Sequence, residues 1–405
     1  MRRPALIATA ATLIGIGALA LLWRQGLAEL PSPATASGER ESELSGREPS
    51  VDPPALRVSP VLELLDERAR DVRPALRSSV VAFDDDFMWL TARAALLRVA
   101  RDGGATRRVE TEGMIVQGTL NVIGARVVWV EYELTELRAR VVAASRTLDE
   151  APVLLGELDD WFVGPVMSRV IAVDDDLAFL ALATPDVAAH EQPPEYVLAR
   201  VPARGGALHV VALDSMFCND YGDITSSRGR LAIACIQQDP ASRVFDVDAR
   251  TSALRLYSES SRVEGWRPSS AVWTGETMIV TSFDFHSLTV KRLFPDGQMQ
   301  TIVDEPSDTQ VVGQLVGDGV EAYLYCHGGV CGRGRMLWLA DRAWAELPDP
   351  PLDALRVGYS GGVVHWEQWS ERGVVLYANT PWPRGLLRAE PDADYRVGTL
   401  LRISE

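Results

Sequence analysis

The chain has 405 residues, 47% of them hydrophobic and 24% charged, with a formal net charge of −16. A chain of this length and composition can bury a large core. So acidic a surface repels phosphate backbones and anionic lipid headgroups, which argues against nucleic acid as a partner and against peripheral membrane binding through a basic patch. Residues 1–60 contain six arginines and six acidic residues, so the negative excess lies in residues 61–405.

Residues 1–30 are predicted to be a signal anchor or a signal peptide. Arg2 and Arg3 precede an uncharged apolar run over residues 4–23, and about twenty such residues are enough to cross a bilayer. The two arginines would stay in the cytoplasm, so the rest of the chain would be exported. A cleavable signal peptide is the alternative, because residues 26–28 offer a plausible cleavage position. We favour the uncleaved anchor, with membrane contact through this helix only.

Residues 31–77 are predicted to be a flexible linker. Residues 31–60 are rich in Pro, Ser, Gly and Glu and have almost no large apolar side chain, so they cannot bury enough surface to offset the entropy of ordering. The stretch PVLELLDERARDV, residues 60–72, differs because its pattern is compatible with a short helix. The folded body is then expected to span residues 78–405.

The folded body contains an internal repeat. RVARDGGATRRV at residues 98–109 returns as RVPARGGALHVV at residues 200–211. The units around them, residues 79–110 and 169–212, each have an apolar strand, an acidic turn, a second strand, a third strand ending in Arg-Val and a fourth strand after a glycine pair. Glycine pairs suit tight hairpins because they tolerate positive φ. The repeat therefore predicts a four-stranded antiparallel module.

Weaker copies follow the same order along the chain. Their spacing of mostly 42–50 residues is what four antiparallel strands with turns require. Modules of this size arranged radially form a β-propeller, whose closed ring removes long free sheet edges, whereas a β-sandwich would not explain the period. We predict an all-β propeller of seven four-stranded blades, with six or eight as alternatives. The second strands are expected to begin near residues 86, 126, 176, 230, 276, 320 and 362.

One unit also suggests a family. The segment AVDDDLAFL…YVLARVPARGG, within residues 172–206, resembles the repeat of secreted bacterial propellers of the broad TolB-like class. The resemblance covers residues 79–110 and 169–212 well and the remainder loosely. It implies a propeller fold and an exported location but no reaction. The chain lacks the Gly-His…Trp-Asp signature of WD repeats, the Asp-box turn of sialidases and the regular kelch pattern.

Four cysteines occur, Cys218, Cys235, Cys326 and Cys331. An even number in an exported chain favours two disulfides. Proximity in the chain pairs Cys326 with Cys331 and Cys218 with Cys235. The alternative is that Cys326, His327 and Cys331 bind a metal or form a redox pair, although no second Cys/His pair with ligand spacing stands nearby.

Two aspartate triplets, residues 84–86 and 174–176, stand where a first strand must turn into a second. Aspartate is an ordinary turn residue. A calcium loop is the alternative, but neither triplet has alternate-position oxygen ligands followed by a terminal Glu. The triplets are therefore predicted to be turns.

Propellers commonly bind ligands on the face formed by the loops between blades and the loops from second to third strands. Residues 157–164, 213–223, 260–268, 283–287, 326–331 and 365–372 are assigned to this face. Carboxylates beside exposed aromatic rings suit a cation, a sugar or a basic peptide, whereas the alternative is a solvated acidic face on which tryptophans only close the blades. The candidate ligand-binding residues are Asp160, Trp161, Asn219, Asp220, Tyr221, Trp266, Asp284, His286, His327, Glu367 and Trp369.

The sequence contains no HExxH helix, no phosphate-binding glycine loop and no Gly-x-Ser-x-Gly turn between a predicted strand and a predicted helix, so no catalytic residue, metal or cofactor is assigned. We predict an exported, membrane-tethered propeller on the periplasmic or cell-surface side of the inner membrane, binding an unidentified protein, peptide or glycan. The competing hypothesis is a metal-dependent hydrolase or lyase with its site in the central channel. The suspected metal ligands would then be Asp160, Asn219, Asp220, Asp284 and Glu367.

Overall fold

A computed structural model of the chain contains seven β-sheets arranged as the blades of a propeller. The inner strands of the last and the first blade, like those of other neighbouring blades, lie against each other, so the ring is closed. The structure describes residues 59–65, 81–92, 95–100, 107–116, 118–133, 138–158, 161–185, 195–213, 224–227, 229–235, 241–261, 268–283, 287–347, 356–360, 363–370, 373–379, 387–391 and 397–402.

The described chain begins with a strand that precedes the blades, β1 (Ser59–Leu65), and the first three blades follow it. Blade 1 contains β2 (Val81–Phe83), β3 (Phe87–Ala92), β4 (Ala95–Ala100) and β5 (Arg107–Glu110). Blade 2 contains β6 (Met114–Ile115), β7 (Asn121–Ile123), β8 (Arg126–Glu133), β9 (Arg138–Ser145) and β10 (Val153–Leu158). Blade 3 contains β11 (Trp161–Met167), β12 (Ile171–Val173), β13 (Asp176–Pro185), β14 (Glu195–Pro202) and β15 (His209–Ala212). In blades 2 and 3 the innermost strand is split into two pieces that pair with the same neighbour.

The remaining four blades complete the ring. Blade 4 contains β16 (Ile224–Ser227), β17 (Arg230–Cys235), β18 (Ala241–Asp248) and β19 (Ala253–Ser261). Blade 5 contains β20 (Ser270–Thr274), β21 (Thr277–Phe283), β22 (Ser287–Leu293) and β23 (Met299–Pro306). Blade 6 contains β24 (Val312–Gly317), β25 (Glu321–His327), β26 (Arg335–Ala340) and β27 (Trp344–Leu347). Blade 7 contains β28 (Arg356–Ser360), β29 (Val363–Ser370), β30 (Gly373–Ala378), β31 (Leu387–Pro391) and β32 (Val397–Arg402), together with β1.

The prediction of seven blades is confirmed. The second strands begin at residues 87, 126, 176, 230, 277, 321 and 363, within one residue of the expected positions. The glycine pair of the repeat lies in the β14–β15 turn, where Gly205 and Gly206 both have positive φ. Gly206 also donates its N–H to the carbonyl of Leu155 in the outer strand of blade 2, at 2.9 Å. The repeated motif therefore makes a tight hairpin that also contacts the preceding blade.

The last blade departs from the predicted four strands. Its sheet has six, in the order β28-β29-β30-β1-β31-β32, and β1 lies antiparallel to β30 and parallel to β31. The predicted short helix over residues 60–72 is therefore wrong where the structure describes them, because Ser59–Leu65 form a strand. The reason is tertiary, since the outer edge of β30 carries backbone groups that need partners. The N-terminal strand thus closes the ring on the C-terminal blade.

The core lies between blades. In β8, Val127 and Trp129 pack toward blade 1, whereas Val128, Val130 and Tyr132 pack toward blade 3. Successive side chains point to opposite faces of a strand, so a strand buried on both faces must be apolar throughout. This explains the continuous apolar runs that mark the middle strands in the sequence.

Both aspartate triplets form turns, as predicted. Asp84 accepts hydrogen bonds from the backbone N–H groups of Asp86 and Phe87 and from the indole N–H of Trp89, at 2.7–3.1 Å. Arg146, which follows the third strand of blade 2, donates to both carboxylate oxygens of Asp84, at 2.8 and 2.9 Å. The first triplet is therefore a clamp between two blades. Within the described residues, no group of three or more His, Cys, Asp or Glu side chains could hold a metal ion.

Among the residues that the structure describes, no helix has the length and apolar composition needed to span a membrane. The predicted anchor, residues 1–30, lies outside the described residues, as does most of the predicted linker. The anchor therefore stays a prediction.

Candidate functional site

The two ends of the blades carry different connections. We call loop end the end with the connections between blades and those from second to third strands, of which residues 111–113, 307–311 and 328–334 are fully described. We call turn end the opposite end, with the turns from first to second and from third to fourth strands, such as residues 84–86 and 203–208. The predicted ligand-binding face corresponds to the loop end.

Four of the candidate residues lie in described strands at or near the loop end. Trp161 is the first residue of β11, and His327 is the last residue of β25. Glu367 lies in β29 opposite the first residue of β28, and Trp369 lies one residue before the end of β29. The topology therefore brings these four backbone positions to the same end of the ring. Whether they form one binding site stays a prediction.

The other seven candidates lie outside the described residues and stay predictions: Asp160, Asn219, Asp220, Tyr221, Trp266, Asp284 and His286.

The assignment of residues 365–372 to a loop is wrong for most of that range. Val363–Ser370 form the strand β29, which pairs with β28 on one side and β30 on the other. His365 is buried in this strand, with its ring centroid 5.2 Å from that of Phe83 in blade 1. Gly358 lies directly against the imidazole, where no Cβ would fit. The polar residues that suggested a loop are held in place by pairing on both sides.

The connection from second to third strand in blade 6 is closed by a disulfide. Cys326 and Cys331 are bonded and buried, which confirms this predicted pair and makes the metal-binding alternative for these sulfurs wrong. A short 3₁₀ turn, Gly329–Cys331, fills the loop. Cys218 lies outside the described residues and the side chain of Cys235 is not described, so the second pair stays a prediction.

The disulfide loop is also tied to the neighbouring connection. Val330 donates its N–H to Ser307 Oγ at 3.1 Å, and Ser307 belongs to the connection between blades 5 and 6. Gly329 has φ of +48°, and a Cβ there would come within 2.7 Å of the Thr309 carbonyl. Two loop-end connections are thus held in one conformation. Beside them, His327 is half-buried and Val312 is 44% exposed.

Removing this disulfide should lower stability. In a Cys326→Ala/Cys331→Ala variant we expect the free energy of unfolding to fall by about 2 kcal/mol, because the unfolded chain is no longer constrained by the small loop. Urea unfolding of both proteins, with and without reductant, measures the effect. Reductant should lower the free energy of unfolding of the wild type more than that of the variant. Four reactive thiols in denatured, non-reduced wild-type protein would contradict the disulfide.

A polar cluster that no sequence pattern indicated lies between blades 6 and 7 at the turn end. Tyr323 and Tyr359 donate their hydroxyl protons to Glu321 Oε1, at 3.1 and 3.0 Å, and Trp338 donates to Glu321 Oε2 at 2.7 Å. Burial, together with the nearby carboxylates, raises the pKa of both tyrosines above the usual range. The phenols are therefore neutral donors. This carboxylate accepts from all three rings, which fits a structural contact between blades.

A second missed feature joins distant blades. Arg169, between β11 and β12 of blade 3, donates to the backbone carbonyl of Tyr359 in blade 7. Burial lowers the pKa of the Arg169 guanidinium, and the charge of Asp318 opposes that shift. The two residues are 190 positions apart in the chain. No periodicity in the sequence could have indicated this contact, because it depends on ring closure.

No protein-family model matches the sequence, and no curated protein matches it either. Solved structures with a similar fold exist. A puromycin-hydrolysing peptidase from Mycobacterium tuberculosis has a TM-score of 0.51 at 14% identity, over 80% of this chain and 55% of that one. A puromycin hydrolase has a TM-score of 0.50 at 13% identity, over 77% of this chain and 53% of that one.

These likenesses show the fold alone, and this chain spans about half the length of the two puromycin-hydrolysing enzymes. A candidate TolB from Agrobacterium tumefaciens is similar at a TM-score of 0.35 and 10% identity, over 56% of this chain and 80% of that one. At the level of the fold, the ring of seven blades agrees with the predicted resemblance to TolB-like propellers.

Proposed function

We propose that this chain is an exported, membrane-tethered β-propeller that acts as a binding module in the cell envelope, with recognition at the loop end. The observation that carries the proposal is the Cys326–Cys331 disulfide. Disulfides persist in oxidising compartments outside the cytoplasm. The apolar run over residues 4–23, behind two arginines, supplies the tether.

The same disulfide supports recognition at the loop end. A loop already held in one conformation loses little entropy when a ligand binds. The loop with Gly329 is held by the disulfide and by the hydrogen bond from Val330 to Ser307. Val312 presents apolar surface beside His327. An acidic chain with such a surface suits a ligand that has both apolar and basic groups, such as a basic peptide or protein segment.

A hydrolase is the second candidate. The observation in its favour is the likeness to the puromycin hydrolase and the puromycin-hydrolysing peptidase, at TM-scores of 0.50 and 0.51. The sequence predicts a metal-dependent hydrolase as this alternative, in which acidic and amide side chains would hold a metal in the central channel. Of the suspected ligands, Asp160, Asn219, Asp220 and Asp284 lie outside the described residues, and only the backbone of Glu367 is described.

A peptide and glycan array probed with the full chain in lipid nanodiscs tests the proposal. We expect binding to basic peptides that Val312→Lys weakens by about tenfold, because a positive charge would replace apolar contact at the loop end and repel a basic ligand. Met299→Lys is the matched control, since Met299 is 55% exposed at the turn end. Equal loss in both variants would contradict loop-end recognition. Stoichiometric calcium or zinc in protein purified without chelator would favour the hydrolase.

A further inference from the structure

At the turn end, charged pairs join blade 1 to blade 2 and blade 3 to blade 4. Asp84 of the first triplet accepts from Arg146, which follows the third strand of blade 2. Asp174 of the second triplet lies 2.9 Å from Nε of Arg250, which follows the third strand of blade 4. In each pair, the earlier blade supplies a carboxylate and the later blade supplies a guanidinium.

Between blades 2 and 3 the carboxylate is missing. The first-to-second-strand turn of blade 2 contains Gly124 and Ala125 and is followed by Arg126, in place of three aspartates. Blade 3 supplies Ala203 and Arg204 directly after its third strand. Arg126 donates to the Ala203 carbonyl at 2.7 Å. Arg204 therefore holds the position of the clamp arginine, whereas the turn of blade 2 carries Arg126 and no acidic partner.

A cavity of about 400 Å³ opens at this position. Val128, Leu155 and Leu177, all buried in the core between the two blades, line it. Arg126 and Arg204 also line it, and both are exposed. The volume lies within the range of small-molecule sites, which are mostly apolar with a few polar groups that orient the ligand.

We propose that this cavity binds a small aliphatic carboxylate. The carboxylate takes the place that an aspartate side chain occupies in the other two clamps and accepts hydrogen bonds from Arg126 and Arg204, because paired guanidinium and carboxylate groups form strong, oriented bonds. The aliphatic tail covers Ile123, Ala125 and Ala203, which also line the cavity and are half-buried or exposed. Since the chain as a whole repels anions, binding depends on these two arginines. The site lies at the turn end and does not depend on the proposed function.

Gly124 allows a direct test of the missing carboxylate. Its φ is +59°, close to the +53° of Asp174 at the corresponding position, and a Cβ there would meet nothing within 4 Å. Aspartate tolerates this conformation. Gly124→Asp should therefore supply the carboxylate from the chain itself and exclude the ligand. Gly124→Asn has the same shape without the charge and serves as its control.

The experiment is a titration of the full chain in lipid nanodiscs with 6,6,6-trifluorohexanoate, followed by ¹⁹F NMR. We expect saturable binding, about tenfold weaker in Arg204→Gln and for the matched alcohol, because each change removes a charge-assisted hydrogen bond. Gly124→Asp should lose binding, whereas Gly124→Asn should stay within about threefold of the wild type. Saturating hexanoate should raise the Tm of the wild type and not that of Gly124→Asp. A ligand-free Tm of Gly124→Asp at or above that of the ligand-free wild type distinguishes lost binding from misfolding.

Three results would overturn the proposal. The first is no saturable binding to the wild type, and the second is equal binding to Gly124→Asp. The third is displacement of the probe by inorganic phosphate, or by a peptide ending in leucine, at lower concentration than by hexanoate. Displacement by phosphate would indicate an anion site without apolar selectivity. Displacement by the peptide would indicate a docking site for a chain terminus.

Discussion

Removing residues 1–66 is expected to lower the free energy of unfolding of the propeller by about 5 kcal/mol or more, since a net backbone hydrogen bond contributes about 1 kcal/mol. The deletion removes β1, which lies between β30 and β31 in the sheet of blade 7. Six residue pairs join β1 to β30 and three join it to β31. Without β1, the outer edge of β30 is open and the sheet of blade 7 loses the N-terminal strand that joins the two ends of the ring. Urea unfolding followed by circular dichroism measures the loss.

A shorter deletion provides the matched control. Removing residues 1–56 takes away the predicted anchor and most of the predicted linker but leaves β1 intact, so we expect stability close to that of the full chain. Equal stability of the two deletions would contradict ring closure by β1. It would indicate that β31, which also runs antiparallel to β30, can take the vacated place.

Asp84→Ala is expected to lower the free energy of unfolding by about 3 kcal/mol, because removing one partner of a buried hydrogen-bonded charge pair leaves the other groups unsatisfied. Asp84 is only 8% exposed. Its loss removes the acceptor of the buried indole N–H of Trp89 and leaves the Arg146 guanidinium with only its exposed pair to Asp86. Asp86→Ala is the control, since Asp86 forms an exposed pair with Arg146, and we expect it to cost less than about 1 kcal/mol.

The contribution of Asp84 should also depend on pH. Burial alone would raise the pKa of this carboxyl, but hydrogen bonds from Arg146, Trp89 and two backbone N–H groups lower it below its usual value. A carboxyl with a depressed pKa in the folded state stabilises the fold above its unfolded pKa and loses that contribution as pH falls through the folded value. The difference between wild type and Asp84→Ala should be constant from pH 7 to 5 and shrink below about pH 4. A constant difference down to pH 3 would contradict this role.

The sequence alone determined the ring of blades. Where the structure describes their side chains, the second and third strands of the blades are mostly buried on both faces, and such strands must be largely apolar, so their recurrence was visible without coordinates. Turn chemistry was equally local. Asp84 binds the backbone of its own turn, and Gly205 and Gly206 adopt positive φ. The Cys326–Cys331 bond was predictable because the two residues are only five positions apart.

The candidate site was predictable only as a set of positions. Strand order brings the backbones of Trp161, His327, Glu367 and Trp369 to the loop end, and the spacing of strands indicates this. The burial of His365 against Phe83 was not predictable, because the two residues meet where blade 7 joins blade 1. From the sequence alone, a polar residue such as His365 is predicted to lie in a loop, because the apolar surface that buries it belongs to the first blade.

The tertiary structure alone decided the partners of β1, the contact of Arg169 with Tyr359, and the cavity between blades 2 and 3. All three join segments far apart in the chain. A sequence indicates which residues are buried and where tight turns form, because hydrophobic periodicity and turn propensity both act over a few residues. The pairing of distant edges is set by the closed ring, because the unpaired backbone groups of one blade can be satisfied only by whichever strand the ring brings beside them.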